Sequence, residues 1–145
     1  MIEEKIAKVR FVELVSSGDE RGGSYQLPFG WNNFLAVEDI HPCEVMAYCI
    51  RGNHAHVVSK EIALIHHVGP WFFHYDEGEG TQPQHIQFEG VGMTYIEIEP
   101  GCAHAYHASI VPFLLITMKD TPKKYRQNDI IDRKVFVHDR RVFGG

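Results

Sequence analysis

Apolar and polar residues alternate with a period of two in several short stretches: Lys8 to Val15, Val45 to Ile50, Trp71 to Tyr75, His85 to Phe88 and Thr94 to Ile98. Successive side chains of an extended chain point to opposite faces, so this pattern, rich in β-branched and aromatic residues, predicts strands. Turn-forming clusters separate them, at Ser17-Gly18-Asp19, Arg21-Gly22-Gly23, Asp76 to Gly80, Glu89 to Gly92 and Pro100-Gly101. Many short strands at near-regular spacing predict an all-β sandwich or barrel. No window carries a sustained helical period with a cap, and Ile2 to Val9 offers one or two helical turns at most. The polar stretch Asp129 to Asp132, with Arg133 and a β-like Val135 to Val137 behind it, reads as a terminal arm that pairs with a neighbouring subunit.

Composition narrows the class. With 145 residues, 44% of them hydrophobic, the chain is read as one domain over 1–145 with a sizeable core. Its longest apolar runs, such as Phe113 to Met118, fall far short of the roughly 20 residues of a membrane-spanning helix. The opening Met1-Ile2-Glu3-Glu4-Lys5 has no apolar stretch behind a positive start, which points to a cytoplasmic protein. Cys43, Cys49 and Cys102 are odd in number and form no CxxC, so they are read as reduced thiols. A formal charge of −5 argues against the broad basic face that nucleic-acid binding needs, and an anionic ligand would depend on a few placed arginines.

Ten histidines change the picture. His54-Ala55-His56 puts two imidazoles on one face of a strand, about 6 to 7 Å apart, where their ring nitrogens can converge. Glu61 can return to the same interior if a turn falls at Val57 to Lys60, and the turn at Pro100-Gly101 precedes His104 at the start of a new strand. Three imidazoles and a carboxylate would suit a divalent transition metal: zinc, iron, manganese or nickel. His66, His67, His74, His85 and His107 lack such a pattern and are read as surface or satisfied core residues, His107 having the best claim of these to the pocket.

Gly52-Asn53-His54-Ala55-His56, with Glu61 five residues on, and Pro100-Gly101-Cys102-Ala103-His104 resemble the two signature motifs of the cupin superfamily. That resemblance implies a double-stranded β-helix, or jelly-roll barrel. Asp19-Glu20-Arg21-Gly22-Gly23 and Ile50-Arg51-Gly52-Asn53-His54-Ala55-His56 further resemble elements of RmlC-like cupins that act on nucleotide-linked keto-sugars. Among these are the dTDP-4-dehydrorhamnose 3,5-epimerases, the dTDP-sugar 3,4-ketoisomerases and the zinc-containing cupin domain of capsular-sugar reductases. The likeness extends loosely to Pro100 to Tyr106 and to Tyr125-Arg126-Gln127-Asn128-Asp129-Ile130-Ile131. The chain departs from the ketoisomerases in carrying Val57 where many have a lysine, and Glu61 where they have an amide.

The resemblance implies isomerisation or epimerisation of a nucleotide-linked 4-keto-6-deoxy sugar, by proton abstraction beside the ketone. His54 is then the expected base, His56 holds or polarises the carbonyl, and Tyr48 or Tyr106 serves as proton partner. Arg21 and Arg51 would clamp the diphosphate, with Lys60 also assigned to substrate binding. Trp31, Trp71, Phe72 or Phe73 could stack on the nucleobase, though Trp71-Phe72-Phe73 reads more simply as core. The set His54, His56, Glu61 and His104 favours a bound metal, without nicotinamide or flavin, and a homodimer is expected on family grounds. Two further readings stay open: a metal-dependent cupin of other chemistry (oxygenase, isomerase or lyase), and a non-catalytic cupin that binds a small ligand.

Overall fold

The computed structural model describes residues 3–5 and 8–136. Eleven strands form two antiparallel sheets: β1 Glu3–Lys5, β2 Val9–Leu14, β3 Asp39–Val45, β4 Ile50–His56, β5 Glu61–His67, β6 Trp71–Tyr75, β7 Gln84–Phe88, β8 Gly92–Ile98, β9 His104–Ala108, β10 Phe113–Lys119 and β11 Ile130–Ile131. One sheet has the order β1-β2-β8-β5-β10-β3, the other β11-β4-β9-β6-β7. A four-residue helix, α1 (Trp31–Phe34), and a 3-10 turn at Lys123–Tyr125 complete the described elements. This is an all-β cupin jelly roll. Among the described residues no helix is long and apolar enough to cross a membrane.

The period-two pattern explains the layers. Phe11, Ile65, Trp71, Phe73, Phe88, Ile96 and Leu115 meet between the sheets, and each is at most 2% exposed. Fully burying a side chain of this size contributes about 1.5–3 kcal/mol, so the aromatic and aliphatic plug holds the sheets together at one end of the barrel. Alternate residues of the same strands, Val12, Ile62 and Tyr95, face outward and are covered by Leu27, Trp31, Phe34 and Leu35 of the segment before β3. The opposite outer face carries Ala55, Ala103 and Ala105, fully buried under Val135.

Several expectations need correction. Val45 to Ile50 is not a strand. Its apolar run straddles the end of β3 and the start of β4, joined by a turn in which Cys49 N–H donates to the Met46 carbonyl at 2.9 Å and Tyr48 takes a left-handed φ of 63°. Residues 3–5 are extended and pair with β2, so the expected helical turn at Ile2 to Val9 is absent there; Ile2, Ile6 and Ala7 lie outside the described residues. The terminal arm folds onto its own chain. β11 pairs with Ala55 and His56 of β4, and the Asn53 side-chain carbonyl accepts Val135 N–H at 2.9 Å while its amide donates to the Phe136 carbonyl at 2.8 Å. Val137 lies outside the described residues.

Candidate active site and metal centre

The end of the barrel away from the aromatic plug holds a cavity of about 530 Å³. Three of its histidines, His54, His56 and His104, come from the two motif strands, and a bulge aims them. Gly52 pairs with Ala105 but His54 pairs with His104, leaving Asn53 as the extra residue at φ 63°. Gly52 is at φ 82°, and a Cβ there would stand 3.0 Å from the His104 carbonyl oxygen, so only glycine suits the position. The three imidazoles of His54, His56 and His104 cluster, their centroids 4.9 Å apart for His54 and His56 and 5.6 Å for each other pair.

The partners of two imidazoles set their tautomers. His56 Nδ1 lies 3.0 Å from Asp129 Oδ2, and His104 Nδ1 lies 3.0 Å from the Cys102 carbonyl. A carboxylate and a carbonyl only accept, so both Nδ1 atoms donate and both Nε2 atoms face the cavity. Asp129, 2% exposed, is itself fixed by N–H bonds from Val58 (2.7 Å) and Ser59 (3.3 Å) and by the Ser59 hydroxyl (2.6 Å). Burial alone would raise the Asp129 carboxyl, but these donors and His56 hold it below its usual range. His54 has its pKa pushed down to about 4 by burial and by its neighbours His104 and His56, which makes it a neutral imidazole at neutral pH.

Glu61 opens β5 beside this cluster. Its Oε1 lies 3.4 Å from His56 Nε2 and its Oε2 3.2 Å from His104 Nε2, yet neither nitrogen has a hydrogen bond of good geometry among the described residues. Tyr106 donates its hydroxyl to Glu61 Oε2, and Lys119 Nζ approaches Oε1 at 3.2 Å. Burial would raise the Glu61 carboxyl, but His104, His56 and Lys119 outweigh it and hold the group well below the usual carboxylate range. Burial and the adjoining Glu61 push the Tyr106 hydroxyl well up, so Tyr106 keeps its proton as a donor.

A divalent ion fits this donor set. One ligand atom from each of His54, His56 and His104 lies within 4.8 Å of the others, and the two buried Nε2 atoms without hydrogen bonds are what a metal would take up. Asp129 and the Cys102 carbonyl are the outer partners that orient such ligands.

The structure brings His54, His56, Glu61, His104, Arg51 and Tyr106 to one cavity, and leaves three proposed site residues outside it. Tyr48 is 51% exposed in the turn before β4. Lys60, adjacent to inward-facing Glu61, points the other way: its Nζ donates to the Phe34 carbonyl at 3.2 Å and lies 5.1 Å from the Phe34 ring centroid. Arg21 is exposed in the hairpin that precedes α1 and pairs with Asp19 at 2.6 Å. The aromatic candidates are elsewhere too. Trp71 and Phe73 are fully buried in the plug, Trp31 packs on the outer face of the first sheet, and Phe72 lines a separate outer cavity with His74, His85, His107 and Phe136. His66 is exposed, and His67 bonds the Gly90 carbonyl through Nδ1 at 2.8 Å.

Sequence reasoning missed the wall contributed by β3, β10 and the turn after β10. Asp39, His41, Thr117, Lys119, Lys123 and Arg126 line the cavity. Arg126 pairs with Asp39 at 2.9 Å, while its buried Nε has no hydrogen-bond partner among the described residues. Alternation along β10 could have placed Thr117 and Lys119 on one face, but its apolar neighbours mask that signal.

No family model matches the chain, and no curated protein matches it. Solved structures do. The sugar 3,4-ketoisomerase QdtA from Thermoanaerobacterium thermosaccharolyticum, in complex with TDP, is 13% identical with a TM-score of 0.67, covering 89% of this chain and 90% of that one. The dTDP-6-deoxy-D-glucose-3,5-epimerase RmlC from Legionella pneumophila, in complex with dTDP-4-keto-L-rhamnose, is 15% identical with a TM-score of 0.70, covering 90% and 74%. A dTDP sugar isomerase from Desulfovibrio desulfuricans is 17% identical with a TM-score of 0.69, covering 90% and 86%. The chain therefore has the RmlC-like cupin fold that these isomerases and epimerases share.

Proposed function

We propose that the protein isomerises or epimerises a nucleotide-linked keto-sugar by moving a proton beside the ketone. The observation that carries this reading is His56: its Nδ1–H donates to Asp129, and Nε2 faces a cavity walled by Arg51, Lys119, Lys123 and Arg126. His56 rather than His54 is the base on this geometry, because a buried carboxylate both orients the ring and stabilises the imidazolium that forms. Nε2 removes the proton from the carbon next to the ketone, and the electron pair moves to the ketone oxygen to give an enediolate. Return of a proton to the opposite face of that carbon inverts it; return to the former ketone carbon, with the hydroxyl proton of the first carbon passing to the other oxygen, moves the ketone. His54 and the Tyr106 hydroxyl are the other proton carriers at the site. The cationic wall, with the orphaned Arg126 Nε, suits the diphosphate of a sugar nucleotide.

The test is proton exchange in deuterated water with dTDP- and UDP-linked 4-keto-6-deoxyglucose, followed by NMR. Deuterium should enter beside the ketone and fail to do so in His56→Asn. A folded protein that neither exchanges that proton nor binds either nucleoside diphosphate would refute the reading.

A second reading, a metal-dependent cupin enzyme, rests on the paired Nε2 atoms of His56 and His104. His54, His56 and His104 would hold the ion, with Glu61 beside them. When bound, such an ion polarises a carbonyl or carboxylate oxygen of a ligand. Near-stoichiometric zinc, iron, manganese or nickel in the purified protein, lost in His104→Ala, is its expected signature.

A further inference from the structure

Lys119 is the last residue of β10 and sits in register with Glu61 on β5 and Asp39 on β3. It is 7% exposed, with Nζ 3.2 Å from Glu61 Oε1 and 3.4 Å from Thr117 Oγ. A lysine is almost never buried this far without a partner, and here the partner is Glu61, the carboxylate that faces His56 Nε2 and His104 Nε2. The ammonium cancels the charge of Glu61, so on the cavity side of the cluster no carboxylate charge is left over; the Asp129 carboxylate lies behind His56, on Nδ1. A divalent ion would enter against this ammonium, and against Arg51 and Lys123 along the same cavity, where Asp39 offsets the charge of Arg126. Lys119 and Tyr106 also bond to Glu61 and so weaken it as a ligand.

We propose that Lys119 is the resident cation of this centre: a tethered ammonium that neutralises Glu61 and keeps divalent-metal binding weak, leaving His56 Nε2 for proton transfer. The assignment extends the proton-transfer reading and rests on it for the role of the freed nitrogen. Its physical basis is that a like charge a few ångströms from an ion, in a medium less polar than water, opposes binding far more than one in bulk solvent.

The experiment is competition for Zn²⁺ and Co²⁺ between the protein and a chromophoric chelator. It uses the wild type, Lys119→Met, which keeps the stem and removes the charge, Lys119→Arg, which keeps the charge, and the double variant Lys119→Met/Glu61→Gln. Lys119→Met should bind about tenfold to a thousandfold more tightly than wild type. Lys119→Arg should stay weak, and the double variant should lose most of the gain. Lys119→Gln, also uncharged, replaces Lys119→Met if thermal melting shows that variant to be unfolded. Equal or weaker binding by the uncharged variants, or an equally tight Lys119→Arg, would overturn the proposal. Hydrogen exchange on the keto-sugar is read separately in the wild type. A metal-affinity gain without wild-type exchange would fail the proton-transfer reading while sparing the charge role of Lys119; exchange without any gain would do the reverse.

Discussion

Replacing Asp129 by asparagine keeps the shape of the side chain and removes its charge, which isolates what the carboxylate does for His56. Asp129 accepts from Val58 N–H at 2.7 Å, Ser59 N–H at 3.3 Å, the Ser59 hydroxyl at 2.6 Å and His56 Nδ1 at 3.0 Å. An amide offers one acceptor oxygen. With that oxygen kept on the two backbone donors, its NH₂ group faces Ser59 and His56. The Ser59 hydroxyl can rotate to accept; the imidazole can accept only by moving its proton from Nδ1 to Nε2. Exchange of charge-assisted hydrogen bonds for neutral ones should cost about 2 kcal/mol of stability, readable as a lower urea midpoint at unchanged slope. Turnover should fall further, by about 10²- to 10⁴-fold, because Nε2 no longer carries the lone pair of a general base. Nitrogen NMR of the imidazoles reports the tautomer directly. A variant that keeps the Nδ1–H tautomer and turns over within about threefold of wild type would refute the argument that Asp129 prepares the base.

Other consequences follow from groups outside that pair. His74 has its pKa pushed down to about 4 by burial and by His107 and His85, from an ordinary value of 6.5. Its contribution to stability is therefore present above pH 6.5 and is lost as the pH falls from 6.5 towards 4, as the unfolded chain takes up the proton first. Thermal melting across that range should show a shallower acid loss in His74→Phe than in wild type. Asn53→Ala removes the amide that holds Val135 and Phe136 and puts a less tolerant residue at φ 63°. It should cost about 2 kcal/mol and expose the chain after Arg133 to limited proteolysis. Arg126→Ala should weaken dTDP binding by about tenfold in calorimetry, whereas Arg21→Ala, in the distant hairpin, should leave it unchanged. Trp71→Ala, in the plug, should destabilise by about 3–5 kcal/mol in chemical denaturation.

Much of the architecture was legible along the chain, because strand alternation and turn chemistry are local properties. Trp71 to Tyr75 is a strand with the predicted bounds, and the turns at Val57 to Lys60 and Pro100-Gly101 deliver Glu61 and His104 to the interior. Where local pattern misled, it did so for a local reason. The apolar run from Val45 to Ile50 reads as a strand until the turn at Met46 to Cys49 is seen to consume it. Lys60 and Glu61 are adjacent, yet one faces Phe34 and the other the histidines, since neighbours in extended chain point opposite ways.

The sequence by itself determined most of the strand pattern and the two histidine motifs, which depend on spacings of a few residues; the pairing of β4 with β9 brings His104 to His54 and His56. Only the tertiary structure decided who surrounds them. Asp129 reaches His56 across 73 residues, and Lys119 meets Glu61 through the register of β5 and β10, a pairing set by the whole sheet and not by any local motif. The same holds for Asp39 and Arg126 at the rim and for Phe136 beside His74. Tautomer, charge balance and the anion-binding wall come from contacts between residues distant along the chain, and hydrophobic periodicity is silent about which polar side chains a closed barrel will set face to face.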